Sequence, residues 1–77
     1  METDPTETTG ARIEKARETR GLSQQQLAEL LEVTQPAVWK WENDRVEPSL
    51  SRLREIAAAL NVDVSTLIPD CDTGSAS

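Results

Sequence analysis

Histidine, phenylalanine and tyrosine are absent from the 77-residue sequence. Without histidine, the side chain that most often serves as general base or metal ligand near neutral pH is missing. The single cysteine, Cys71, excludes an intrachain disulfide and a cysteine-built zinc site, and it fits a reducing compartment. No apolar run approaches the ~20 residues of a membrane span, and no secretory apolar segment follows Met1. A soluble, cytoplasmic protein without membrane association is the expectation. Gly-rich phosphate loops, cysteine clusters and paired carboxylates outside the helix faces are also missing. No catalytic residue, metal or cofactor is therefore expected, and an enzyme is the least favoured class.

The chain is the size of one small domain, too short for a barrel or a doubly wound α/β fold. Apolar residues make up 36% and charged residues 29%, yet Leu, Ile and Val still recur in order. No segment alternates apolar and polar for long enough to make a strand, so the fold is expected to be all-α. Residues 1–10 (METDPTETTG) hold nothing apolar after Met1 and are read as a disordered acidic arm. Residues 70–77 are read as a disordered tail, leaving 11–69 as the folded domain.

The net charge of −6 argues, alone, against a nucleic-acid partner. That acidity is uneven. Glu2, Asp4, Glu7, Asp70 and Asp72 lie in the arm and tail, which carry no base. Between them stand eight basic and nine acidic residues, a net of −1. Such a core can present a local basic face from Lys40 and Arg45, joined by Arg12 or Arg20.

Helical spacing organises the core. A first helix, 11–19, places Ile13, Ala16, Arg17 and Arg20 on one face before Gly21 stops it. Two arginines on an apolar side either snorkel to solvent or include one with a buried partner. Ser23-Gln24-Gln25-Gln26 has the capping-box form and opens a second helix, whose apolar arc is Leu27, Ala28, Leu30 and Leu31. Thr34 is the N-cap expected for a third helix, 35–43, with Pro36 in its first turn. Ser49 caps a fourth, with the stripe Leu50, Leu53, Ile56, Ala57 and Leu60 and Asn61 as a left-handed terminator. Asp63 caps a short fifth helix, Val64–Ile68, which Pro69 ends.

The second and third helices, joined by a short turn, have the form of a helix-turn-helix. At ~100° per residue, Gln35, Pro36, Trp39, Lys40 and Asn43 share one side of the third helix, with Ala37, Val38 and Trp41 on the other. Glutamine can bond bidentately to adenine, lysine can reach guanine or a phosphate, and a broad apolar ring can pack on a thymine methyl. A recognition helix reads bases mainly with its N-terminal residues, where Gln35 sits. Gln24, at the start of the preceding helix, is placed to donate to a phosphate. A merely solvated face accounts for Gln35, Lys40 or Asn43 taken singly. It accounts less well for Trp39, because an exposed Trp on so small a protein marks a contact surface.

These pieces together resemble the lambda-repressor/Cro-like (XRE) helix-turn-helix family. The matching segments are Ile13-x3-Arg17, Gly21-Leu22-Ser23-Gln24-x2-Leu27-Ala28, Val33-Thr34-Gln35-x2-Val38-x2-Trp41-Glu42-Asn43, Pro48-Ser49-Leu50-x2-Leu53 and Ile56-Ala57-x2-Leu60-x-Val62. The resemblance implies a compact five-helix domain that binds a palindromic DNA operator as a two-fold homodimer, as a small transcriptional (auto)repressor. It places Gln35 and Lys40 toward bases, where Pro36 and Trp39 join them as base contacts on the same helix face, and Gln24, Asn43 and Arg45 toward phosphates. It places Arg17 and Glu42 in a buried ion pair.

The chain departs from the family where Gly is frequent: Glu32 occupies the turn between the second and third helices, and Asp44 follows Asn43. Either the second helix runs on or the turn differs slightly, because a Glu at positive φ is costly. Val62, Val64, Leu67 and Ile68 either close the bottom of the core or, as the resemblance favours, form the dimer interface. The competing function is a protein-interaction module, antitoxin-like or regulator-binding, using the Trp39/Lys40 face. A toxin and RNA polymerase are the protein partners considered. Phage repressor, antitoxin and restriction–modification controller all fit the sequence, as do repression and activation.

Overall fold

The computed structural model describes residues 8–68. The arm up to residue 7, Pro69 and the 70–77 tail lie outside the described residues, together with the disorder expected of the arm and tail and the helix stop expected at Pro69. Four α-helices follow in order: α1 (Thr9–Thr19), α2 (Gln24–Leu31), α3 (Gln35–Glu42) and α4 (Leu50–Leu60), then a single 3-10 turn, Val64–Leu67. There is no strand among the described residues.

The expectation of five helices is corrected to four. The Asp63 side chain makes no capping bond. At its two ends Thr66 N–H bonds Asp63 O at 2.9 Å and Ile68 N–H bonds Ser65 O at 3.3 Å. Those are the i→i+3 bonds of a 3-10 turn, and so short a piece is below the length at which an α-helix sustains itself.

The caps explain the other boundaries. Ser23 and Gln26 complete the reciprocal box: Gln26 N–H donates to Ser23 Oγ at 3.0 Å and Ser23 N–H to Gln26 Oε1 at 2.8 Å. Ser49 Oγ accepts from Arg52 N–H at 3.2 Å. Thr34 stands at the N-cap of α3 but makes no side-chain capping bond. α1 begins two residues ahead of its expected start, because Thr8 caps it, with Oγ1 accepting from Ala11 N–H at 3.2 Å.

Three non-glycine residues stop helices or turn the chain in the left-handed region: Glu32 (φ 60°), Asp44 (φ 58°) and Asn61 (φ 61°). The alternative left open for Glu32 is thus decided: α2 ends at Leu31 and Glu32 takes the strained conformation. Its N–H bonds Glu29 O at 3.2 Å while Val33 N–H bonds Ala28 O at 2.9 Å, closing the turn into α3.

The core draws side chains from every element, with four from α4 (Leu53, Ile56, Ala57 and Leu60). Ile13 (α1), Leu27 (α2), Val38 (α3), Ile56 and Leu60 (α4) and Leu67 from the 3-10 turn are all fully buried. Burying each such side chain contributes about 1.5–3 kcal/mol. Leu67 is 0% exposed, which removes it from the expected dimer surface: it closes the protomer's own core. Val62, Val64 and Ile68 pack against that core while staying half-exposed.

Candidate nucleic-acid interface

α3 is positioned by what it buries. Val38, Trp41 and Glu42 face inward, and α3 packs against both α1 and α2. Its other side carries half-buried Gln35 and exposed Pro36, Trp39, Lys40 and Asn43. Trp39 is 42% exposed whereas Trp41, two residues on, is 7% exposed, so one indole belongs to the surface and the other to the core.

Arg17 and Glu42 meet across the interior in a two-pronged pair, Nε to Oε2 at 2.7 Å and Nη2 to Oε1 at 3.2 Å. Arg17 Nη1 also donates to Leu22 O at 2.7 Å, tying the α1–α2 connection to the pair. This is the buried partner that the apolar face of α1 left open. The guanidinium pKa is held above its ordinary value, chiefly by the hydrogen bond to Glu42, with burial opposing.

The pair continues outward. Gln24 Nε2 donates to Glu42 Oε1 at 2.9 Å, and Gln35 Nε2 donates to Gln24 Oε1 at 2.6 Å. The polarity of this relay is dictated from inside. A carboxylate held by a guanidinium only accepts, so Gln24 must turn its NH2 group toward it. The Gln24 carbonyl oxygen then faces Gln35, which must answer with its own NH2. Gln24 therefore belongs to the interior network as well as to the α2 N-terminus, a role that sequence reading missed because its partners are 11 and 18 residues away.

Beyond α3, Asn43 Nδ2 donates to Trp39 O at 2.9 Å and so caps its own helix. The Arg45 guanidinium lies 5.6 Å from the Trp39 ring centroid, within cation–π range. Asp44, read in the sequence as standing where the family often has Gly, has a structural partner. Its Oδ2 accepts from Thr8 Oγ1 at 2.6 Å and its Oδ1 from Gly10 N–H at 3.2 Å. The carboxylate thus sits at the positive end of α1.

Gly10 permits that contact. A Cβ there would meet Trp41 O, would stand 2.6 Å from Glu42 O and 2.8 Å from Asp44 Oδ1. Thr8 and Thr9, just ahead of the α1 pattern, were the N-cap signals the sequence carried for this end of the helix.

Two short helices with a tight turn, a buried ion pair beneath them and a polar outer face on the second define a helix-turn-helix domain of repressor type. A helix-turn-helix family model matches residues 13–67, and the chain belongs to that family in its lambda-repressor-like (XRE) form. It is 41% identical over 61 residues to the immunity repressor protein of Bacillus phage phi105, covering 79% of this chain and 42% of that protein. It is 34% identical over 59 residues to the SPbeta prophage-derived uncharacterized HTH-type transcriptional regulator YonR of Bacillus subtilis (strain 168), covering 77% of this chain and 55% of that one. The chain thus spans about half the length of these curated relatives.

Among solved structures it is similar to the P22 c2 repressor in complex with synthetic operator 9T, with a TM-score of 0.73 and 26% identity over 79% of this chain and 92% of that one. It is also similar to the clp gene regulator ClgR from C. glutamicum, with a TM-score of 0.77 and 26% identity over 99% of this chain and 97% of that one. No helix among the described residues is long and apolar enough to cross a membrane.

Proposed function

We propose that this chain is the sequence-specific DNA-binding domain of a transcriptional repressor, reading an operator in the major groove with α3. The observation that carries this reading is the relay from Arg17 through Glu42 and Gln24 to Gln35, which fixes the first side chain of α3 before any ligand arrives. One Nε2 hydrogen of Gln35 is engaged with Gln24. The second, together with Oε1, matches the N7 acceptor and N6 donor of an adenine. Gln24 keeps its second Nε2 hydrogen for a phosphate beside the α2 N-terminus. Pro36 and the Trp39 ring present apolar surface to thymine methyls, and Lys40 reaches guanine or phosphate. Asn43 and Arg45 extend the phosphate contacts past the end of α3. Similarity to an immunity repressor and to a repressor seen on an operator supports the assignment.

The reading includes a homodimer formed through Val62, Val64 and Ile68. Two copies would set their α3 helices about 34–36 Å apart, one turn of duplex, matching a palindromic site. Dimerisation supplies the affinity that a nearly neutral domain with few phosphate contacts lacks.

The test is fluorescence anisotropy of a labelled duplex from just upstream of the protein's own gene, titrated at low and physiological salt. Cooperative binding, absent with a scrambled duplex and with Gln35→Ala/Lys40→Ala, is the expected result. Equal binding to every duplex, or none at low salt, would overturn the assignment in favour of a protein-binding face.

A further inference from the structure

A groove of about 290 Å³ runs between α1 and the C-terminal segment, on elements that take no part in the proposed DNA contacts. Arg12, Lys15, Thr19 and Arg20 form one wall, and Val62 and Thr66 form the other. The walls are tied together, because Arg12 Nη1 donates to Thr66 O at 3.2 Å. Three of these side chains are cationic, and no carboxylate lines the groove among the described residues. Lys15 and Arg20 are exposed. The neighbouring acids of α1, Glu14 and Glu18, act instead on Arg17, with Glu18 Oε2 at 3.7 Å from Arg17 Nη2.

The chain supplies a complement at the right place. Residues 69–77 follow directly on the groove's second wall and carry Asp70 and Asp72 with no base. At ~3.3–3.6 Å per residue, Asp70 can travel about 7 Å from Ile68 and Asp72 about twice that, starting two residues past Thr66 on the groove's second wall. We propose that this groove is a docking site for an acidic extended segment, and that its occupant is the chain's own 69–77 segment, held by Asp70 and Asp72 against Lys15, Arg20 and Arg12. Docking offsets two of the three positive charges of the cationic cluster on α1. Lys40 and Arg45 are then left as the accessible positive charges beside the recognition helix. The tail so lowers the non-specific attraction of this groove for polyanions.

Cys71 lies between the two aspartates and is the only cysteine, so a neutral nitroxide attached there reports the segment's position in the full-length chain. The experiment compares amide signal loss in labelled wild type with labelled Asp70→Asn/Asp72→Asn, whose tether is the same but whose charge is gone. The expected result is selective loss at Thr19 and Arg20 in wild type. That loss is relieved in the double variant, in Lys15→Glu/Arg20→Glu, and in about 1 M salt, where screening acts within ~3 Å. Identical profiles for wild type and Asp70→Asn/Asp72→Asn would overturn the proposal. So would loss at Thr19 and Arg20 that appears only between labelled and unlabelled copies in a mixed sample, since that makes a second molecule the occupant. All three readouts need no DNA and stand apart from the operator assignment.

Discussion

Glu42 Oε1 accepts hydrogen bonds from two residues at once, Arg17 Nη2 at 3.2 Å and Gln24 Nε2 at 2.9 Å. One oxygen therefore joins the ion pair that holds α1 to α3 with the amide that orients Gln35. The fold and the proposed recognition share this atom, and they can be separated by choosing which partner to remove.

Arg17→Ala leaves the Glu42 carboxylate buried and unpaired and is expected to cost about 3–5 kcal/mol, a large share of a small domain's stability. Arg17→Met/Glu42→Leu replaces the pair with apolar volume and is expected to fold with stability near wild type or above it. That double variant still loses operator binding, because Gln24 has no acceptor to fix its orientation. Urea unfolding followed by anisotropy on the same samples checks both halves. A double variant that binds as tightly as wild type would remove the relay from the recognition mechanism.

The raised Arg17 pKa has a definite sign. A cation whose folded pKa lies above its unfolded value stabilises fully below the unfolded value and loses that contribution only as pH rises through the folded one. Stability measured across the neutral and mildly alkaline range should show no fall that Arg17→Met/Glu42→Leu abolishes.

Gly10→Ala is expected to cost about 1–3 kcal/mol, because the new Cβ falls within 2.6 Å of Glu42 O and 2.8 Å of Asp44 Oδ1. Asp44→Ala removes the acceptor for Thr8 and Gly10 together with a charge at the α1 N-terminus, for about 0.5–2 kcal/mol. The two losses should not add, since both undo one docking contact. Chemical denaturation of the single and double variants measures the coupling.

Glu32→Gly should stabilise the domain by up to about 1 kcal/mol. The left-handed conformation costs a side-chain-bearing residue roughly 1–2 kcal/mol, and glycine's greater freedom when unfolded returns part of that. A lowered urea midpoint would show that the Glu32 side chain makes a compensating contribution.

Trp39 should report DNA and Trp41 should not. Operator binding is expected to shift or quench emission in wild type and in Trp41→Phe but not in Trp39→Phe. Trp39→Ala should weaken binding by about 1–3 kcal/mol. For the proposed dimer, Val64→Asp should abolish cooperativity on a two-half-site duplex and shift sedimentation toward the monomer, while the far-UV spectrum stays helical.

Most of the helices were legible in the sequence, because each is announced locally. The Ser23 box, Pro36 in the first turn of α3, the Leu50–Leu60 stripe and Asn61 all act within a turn or two of themselves. The resemblance supplied the Arg17–Glu42 pairing, which periodicity alone had reduced to two arginines on an apolar face. What escaped was long-range. Thr8 and Asp44 are 36 residues apart, and nothing near either one indicates the other. The start of α1 was placed late for the same reason: Thr8 and Gly10 look like arm residues until α3 is packed against them. Leu67 could not be divided between core and interface by pattern, since both bury an apolar side chain. The last segment carried helix signals but too few residues to close an α-helical ladder.

The shared oxygen of Glu42 also shapes what heredity can change. A random-mutagenesis screen for altered operator preference selects only among chains that survive in the cell. Alleles at Arg17 or Glu42 fall out first, as unfolded chains cleared by proteolysis, before any preference is scored. On the proposed reading, surviving alleles should concentrate at Pro36, Trp39 and Lys40, whose exposed side chains lie outside the relay. New binding specificities would then arise by drift along the outer edge of α3, while the residues that aim Gln35 stay fixed beneath it.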